Sequence, residues 1–157
     1  MPGGFVGFIN FLAKMGLIIR SDPPRHIETE NLQWGPPADG MMLSIREIPS
    51  EGSGQLPAIS VVMKNAGAKT WNLTIPGWMF FYHVETTAPL SAFGHQLLRP
   101  ENQKEKLDIA VGPGDATQTD IPIGSMYEMG RGDYPVEVVC ALSDGLALRS
   151  NRIVIRV

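Results

Sequence analysis

From Met41 onward the chain alternates between apolar and other residues. Met41, Leu43 and Ile45 are interleaved with Met42, Ser44 and Arg46, and Ile59, Val61 and Met63 with Ser60, Val62 and Lys64. The pattern returns at Trp71–Ile75, Leu107–Val111, Tyr134–Leu142 and Arg152–Val157. A side-chain period of two belongs to β-strands, because successive residues point to opposite faces of a sheet. Each run therefore sets one apolar row against a core. Turn formers separate the runs: Ser50–Gly54, Asn65-Ala66-Gly67, Pro76-Gly77, Gly112-Pro113-Gly114-Asp115, Gly130-Arg131-Gly132-Asp133 and Ser143-Asp144-Gly145. Gly, Pro, Asn and Asp supply the backbone angles that tight reversals need. Short strands at this spacing, with no long helical period among them, predict an all-β fold, an antiparallel sandwich over 41–157. The run Trp78–Val84 (WMFFYHV) is apolar on both parities. It reads as a strand covered on both faces, or as an edge whose outer face meets a partner.

Composition closes off several alternatives. The chain has 157 residues, of which 43% are hydrophobic and 18% charged, too apolar for a disordered segment. A length of this order gives one domain core. Net charge is −3 with no cluster of Lys or Arg, which argues against a nucleic-acid binder working through phosphates. The single Cys, Cys140, builds neither a disulfide framework nor a Cys-rich zinc site.

The first forty residues differ from the rest. Between Phe5 and Ile19 the polar residues are Asn10 and Lys14. At 3.6 residues per turn, Gly3, Gly7, Asn10 and Lys14 fall on one thin stripe. Phe5, Val6, Phe8, Ile9, Phe11, Leu12, Met15 and Ile19 cover the remaining surface. This predicts a short apolar helix over 1–20 that lies in a membrane interface or is held by a partner. Phe5, Phe8, Ile9, Phe11, Leu12, Lys14 and Met15 are its anchoring residues. About 15 residues span about 22 Å, short of the ~30 Å hydrocarbon core, which disfavours a simple crossing. Packing against the protein's own core and a degenerate export signal are the other readings. Residues 1–20 carry a charge of +2 and the remaining 137 carry −5, which suits an anionic membrane surface or an acidic partner. Residues 21–40 contain Pro23-Pro24 and Pro36-Pro37 and read as an extended spacer, with Trp34 tucked against the following domain or marking a binding surface.

A family resemblance rests on two stretches. Trp34–Gly67 (WGPPADGMMLSIR…ISVVMKNAG) carries W-G at the opening of a domain and K-N-x-G at the end of a strand. The C-terminal stretch carries a Pro113-Gly114-Asp115 turn, then Gly132 to Val138 as G-x-Y-x-V-x-V, then Ser150-Asn151 followed by the Ile153/Ile155/Val157 strand. This pattern resembles bacterial immunoglobulin-like domains, nearest to the proteinase-inhibitor-like (BsuPI-type) group. The resemblance covers Trp34–Val157 and implies an Ig-like sandwich. Thr86–Leu107 departs from the pattern and reads as an inserted loop.

Residues that carry chemistry are sparse. His26, His83 and His95 have no second His or Cys at ligand spacing. His83 shares a strand face with Glu85, which reads as a cross-strand hydrogen bond before an acid–base pair. Cys140 falls on a core-facing position and behaves as a small hydrophobe. No nucleophile elbow, phosphate-binding loop or calcium loop is present. Asn72-Leu73-Thr74 is a sequon on a strand, and Arg131-Gly132-Asp133 is a natural turn. The expectation is a non-catalytic protein with no cofactor and no metal. It is an accessory subunit associated with a membrane protein complex or membrane surface, on the extracytoplasmic side, with no small-molecule ligand. Aromatic and Met-rich surface is typical of interfaces, and the interface candidates are Trp34, Trp78, Met79, Phe81, His83, Met126, Tyr127 and Met129. The alternative is a soluble protease-inhibitor-like binding domain that uses the loops Thr86–Lys106 and Ile121–Arg131.

Overall fold

The structure is a computed structural model that describes residues 21–22, 27–49, 52 and 54–157. The expected apolar helix over 1–20, with Phe5, Phe8, Ile9, Phe11, Leu12, Lys14 and Met15, lies outside the described residues, as do Pro23-Pro24 and His26. The strands are β1 Ser21–Asp22, β2 Met41–Glu47, β3 Ile59–Asn65, β4 Trp71–Ile75, β5 His83–Thr86, β6 Leu107–Val111, β7 Ala116–Ile121, β8 Asp133–Ser143, β9 Leu146–Arg149 and β10 Ile153–Arg156. Among the described residues three short helices interrupt them, α1 Trp78–Phe81, α2 Ala92–Leu97 and α3 Ile123–Met126, and a 3-10 turn spans Pro100–Gln103. One sheet runs β1-β7-β3-β2, a second runs β10-β8-β5 with β9 also on β8, and β4 pairs with β6. All pairings are antiparallel. The fold is predominantly β, an arrangement compatible with a β-sandwich.

The alternating rows do what the period demands. Leu43 lies opposite Met63 and Ile45 opposite Val61. These side chains share one core with Val136, Val138, Cys140, Leu148 and Ile155 from the second sheet. β3 is buried without a break from Ile59 to Met63, because it lies inside its sheet and its outward Ser60 hydroxyl accepts a hydrogen bond from Gln118 Nε2 at 2.8 Å. In the body, β7 (ATQTDI) and β9 (LALR) fall outside the alternating runs. β7 reads as polar, yet Thr119 is fully buried and pairs with Val61.

The run Trp78–Val84 is not one strand. Gly77 takes a φ of 108°, a left-handed angle that suits glycine. Its carbonyl then accepts from Phe80 N at 3.2 Å and Phe81 N at 2.9 Å, closing a single helical turn. The strand begins after it, at His83. The double-parity apolar run is a helical turn feeding an edge strand.

Two asparagines close the fold. Asn65 is fully buried. Its Nδ2 donates to the carbonyls of Lys69 (2.7 Å) and Val111 (2.9 Å), and its Oδ1 accepts from Gly67 N (3.0 Å). One amide thus ties the end of β3 to the β4–β6 pair. Asn151 does the same between sheets. Its Oδ1 accepts from Ile45 N at 2.7 Å and its Nδ2 donates to Ile45 O at 3.0 Å. Just before it, Ser150 N donates to Val138 O, and Val138 N donates back to Ser150 Oγ, both at 2.9 Å. The chain ahead of β2 runs along the same edge. Gly35 N donates to Leu43 O at 3.0 Å, and a Cβ on Gly35 would stand 2.0 Å from Arg149 O.

Replacing Gly35 by Ala forces that backbone contact apart, at a cost of about 1–3 kcal/mol or more. Replacing Asn151 by Ala strands two backbone groups of Ile45, at about 1–3 kcal/mol. Urea unfolding checks both: the midpoint should fall while the slope stays constant. A midpoint unchanged in Asn151→Ala would remove the amide from its closing role.

Candidate functional site

Three separate segments meet at a cleft. The first is α1 and the start of β5. Trp78 stacks on Tyr82, with ring centroids 5.8 Å apart at 19°, and meets Phe81 edge-on at 5.9 Å. The second is the stretch 86–106, expected as an inserted loop. It holds α2, capped by Ser91, whose Oγ accepts from Gly94 N at 3.0 Å and donates to Ser125 O at 2.7 Å. The third is α3 and the residues after it. Ser91 N donates to Met126 O (2.9 Å) and Glu128 N to Pro89 O (2.8 Å), so the second and third segments lock backbone to backbone. Gly94 permits this, since a Cβ there would stand 2.1 Å from Met126 O.

The cleft holds about 190 Å³ and is lined by Met79, Phe80, Tyr82, His83, Val84, Leu98, Gln103, Ile121, Met126 and Tyr127. Four of the interface candidates, Met79, His83, Met126 and Tyr127, line it together. Trp78 and Phe81 pack behind it on Tyr82. Met129 packs against the core, and Trp34 stands apart, next to Gly35 on the segment along β2. Trp78, Met79, Met126 and Tyr127 are buried, so they shape the walls; His83 is exposed at the rim, and Phe80, Phe81 and Met129 are half-buried. Leu98 and Gln103 were not singled out from sequence. They belong to the 86–106 stretch, which has no alternating pattern to assign its side chains to a face.

Polar groups around the cleft are held in their neutral forms. Burial raises the Tyr82 phenol well above its ordinary value of 10.0; the Cys140 thiol nearby adds to this and the Thr117 hydroxyl opposes it. Burial pushes the Cys140 thiol from 9.0 up to about 12. Burial also raises Tyr127, whose hydroxyl donates to Val84 O at 3.3 Å. A buried thiol that resists ionisation is a poor nucleophile.

The outer face of β8 carries the charged cluster. Glu85 and Glu137 are cross-strand partners, and Arg149 Nη1 reaches both, at 2.7 and 2.5 Å. Hydrogen bonding to Arg149 holds the Glu85 carboxyl below its usual range, and bonds to Glu85 and Glu137 raise Arg149. The Glu85 carboxylate is thus engaged by Arg149, although it shares a strand face with His83. Such exposed pairs contribute little stability. Among the described residues, no group of three or more His, Cys, Asp or Glu could hold a metal ion, and no helix is long and apolar enough to cross a membrane.

Compared with protein-family models, with curated proteins and with solved structures, the chain has no match in any of the three.

The neutral thiol and phenols set an alkaline limit. Their folded values lie above the unfolded ones, so their contribution is intact below about pH 9 and is lost as pH rises toward 12. Each group adds a slope of about 1.4 kcal/mol per pH unit within its window. The offset between wild type and Cys140→Ala in urea melts should be constant below pH 9 and shrink above it. A constant offset from pH 7 to 11 would contradict a buried neutral thiol.

Proposed function

We propose that this protein is a non-catalytic interaction module. It is an immunoglobulin-like domain, nearest in its motifs to the BsuPI-type group, that acts as an accessory subunit of a membrane protein complex. The observation that carries this reading is the cleft. Its walls are apolar and Met- and aromatic-rich, and its polar groups at the rim, His83 and Gln103, are recognition groups more than reaction machinery. The Ig-like assignment is supported by the meeting of its two signature stretches, since Gly35 of the first and Asn151 of the second both close on β2. The membrane reading is supported by the apolar segment 1–20, with its +2 charge against the −5 body. In this scheme the segment anchors, residues 21–40 strap it to the domain, and the cleft takes an apolar side chain of the partner.

Native purification from membranes tests this. The full chain should co-elute with a membrane protein, and a form lacking residues 1–20 should be released. Phe80→Glu, at the half-buried rim, should keep the circular dichroism of the wild type and weaken co-elution at least tenfold. A full chain that is monomeric and soluble without detergent or partner would overturn the anchoring role. Undiminished co-elution of Phe80→Glu would overturn the role of the cleft.

A further inference from the structure

The edge of β10 offers a second surface, which shares no residue with the cleft. Val157 and Gly132 exchange both backbone hydrogen bonds, at 2.9 and 3.0 Å. Counting back in register, Ile155 and Ile153 also point their backbone groups at β8. Val154 and Arg156 must then point theirs away from β8, and among the described residues those groups have no partner. Across from them lies β2. The outward groups of β2 are those of Met41, Leu43, Ile45 and Glu47, by the same alternation. Ala38 takes those of Met41, Gly35 takes Leu43 O and Asn151 takes those of Ile45. Glu47 is left without a partner among the described residues.

Between β2 and the open edge of β10 runs a groove of about 640 Å³, with Leu32, Ile45, Ile153 and Val154 as its apolar lining and Glu28, Glu30 and Glu47 among its polar lining. Val154 is 52% exposed and Val157 45% exposed, two of the four exposed large hydrophobics among the described residues. Arg152 and Arg156 flank Val154 on the outer row of the strand; the Arg156 side chain is 83% exposed and stands 3.9 Å from the likewise open Asp133 carboxylate, a pair that a partner's carboxylate can displace.

We propose that this groove takes an extended segment of a partner protein as an added strand against β10. Its inward side chains are apolar, and carboxylates stand opposite Arg152 and Arg156. A strand pair sets facing side chains about 4.5–5.5 Å apart, where opposite charges attract and like charges repel. The same rule disfavours a second copy: pairing two β10 edges about Val154 sets Arg152 of one against Arg156 of the other. Glu28, Glu30 and Glu47 line the groove and neither arginine does, so the carboxylates of the added strand belong to its outward row, beside Arg152 and Arg156. Main-chain bonds would supply affinity and the arginines the selectivity, as in other strand additions.

Val154→Pro discriminates. Val154 lies opposite Pro135, and its N–H points out of the ladder, so proline removes an edge donor and no internal bond. The probes are blocked heptapeptides alternating Val with Glu, or Val with Lys, titrated into the full chain by fluorescence anisotropy. The Glu peptide should bind at least tenfold tighter than the Lys peptide. Val154→Pro should lose that binding at least tenfold with its melting temperature kept. The double variant Arg152→Glu/Arg156→Glu should reverse the preference, which keeps the test open if the proline variant fails to fold. Equal binding of the two peptides, or full binding by a folded Val154→Pro, would overturn the proposal. So would a dimer that Val154→Pro dissolves, because it would assign the edge to a second copy.

Discussion

A strand at the edge of a sheet has a row of backbone donors and acceptors with no neighbour, and water or another chain will take them. β2 is such a strand, and its free side faces the second sheet. The Asn151 amide takes both free groups of Ile45, as a single residue of an adjoining strand would. Gly35 and Ala38 take the next ones along. This closure sets where the two sheets meet. Because Asn151 follows Ser150, which itself clasps Val138, the amide connects β2 to the middle of β8 through two residues. The core rows of Leu43 and Ile45 and of Val136 and Val138 can share one interior only if that seam holds. Gly35 is then a geometric necessity, since the seam passes closer to it than any side chain would allow.

The opposite side of the molecule solves a different problem. Pro135 lies on the β5 side of β8, one position beyond the Thr86–Val136 pair. A proline has no N–H for another rung there, so β5 stops at Thr86. The chain that leaves β5 folds back as the 86–106 stretch and locks onto the 122–128 stretch through Ser91 and Gly94. The cleft is what remains between this lock and the α1 turn. Its walls are held by backbone bonds and by the Trp78 ring stacked on Tyr82. A preformed apolar cleft loses less conformational entropy on binding than one assembled by the ligand.

Much of this was legible in the residues. The alternating runs mark β2, β3, β4, β6, β8 and β10 nearly to the residue, because half-buried antiparallel strands need alternation. β7 was not legible. Its inward positions are Thr117, Thr119 and Ile121, and a buried threonine looks polar in sequence though it packs like valine. β9 is only four residues long. The α1 turn was hidden because a buried helical turn and a buried strand are both continuously apolar over four residues; Gly77 was the local clue. For the cleft, Met79, His83, Met126 and Tyr127 stood out by residue type. That they meet across a gap of more than forty residues depends on Ser91 and Gly94, ordinary loop residues in the sequence.

The contrast between the two edges is the last piece. β2 is closed from Met41 to Ile45 by side chain and strap, whereas β10 keeps Val154 and Arg156 open. An exposed apolar edge invites aggregation unless charges guard it. Arg152 and Arg156 provide that guard against copies of the same chain, since identical edges meeting about Val154 bring like charges together. The same two charges do nothing to repel an acidic strand, so they convert a general liability into a selective one. Closing β2 and guarding β10 are therefore linked. The Asn151 clasp that completes the first edge also sets the point from which the second diverges, and the groove between them follows from that divergence.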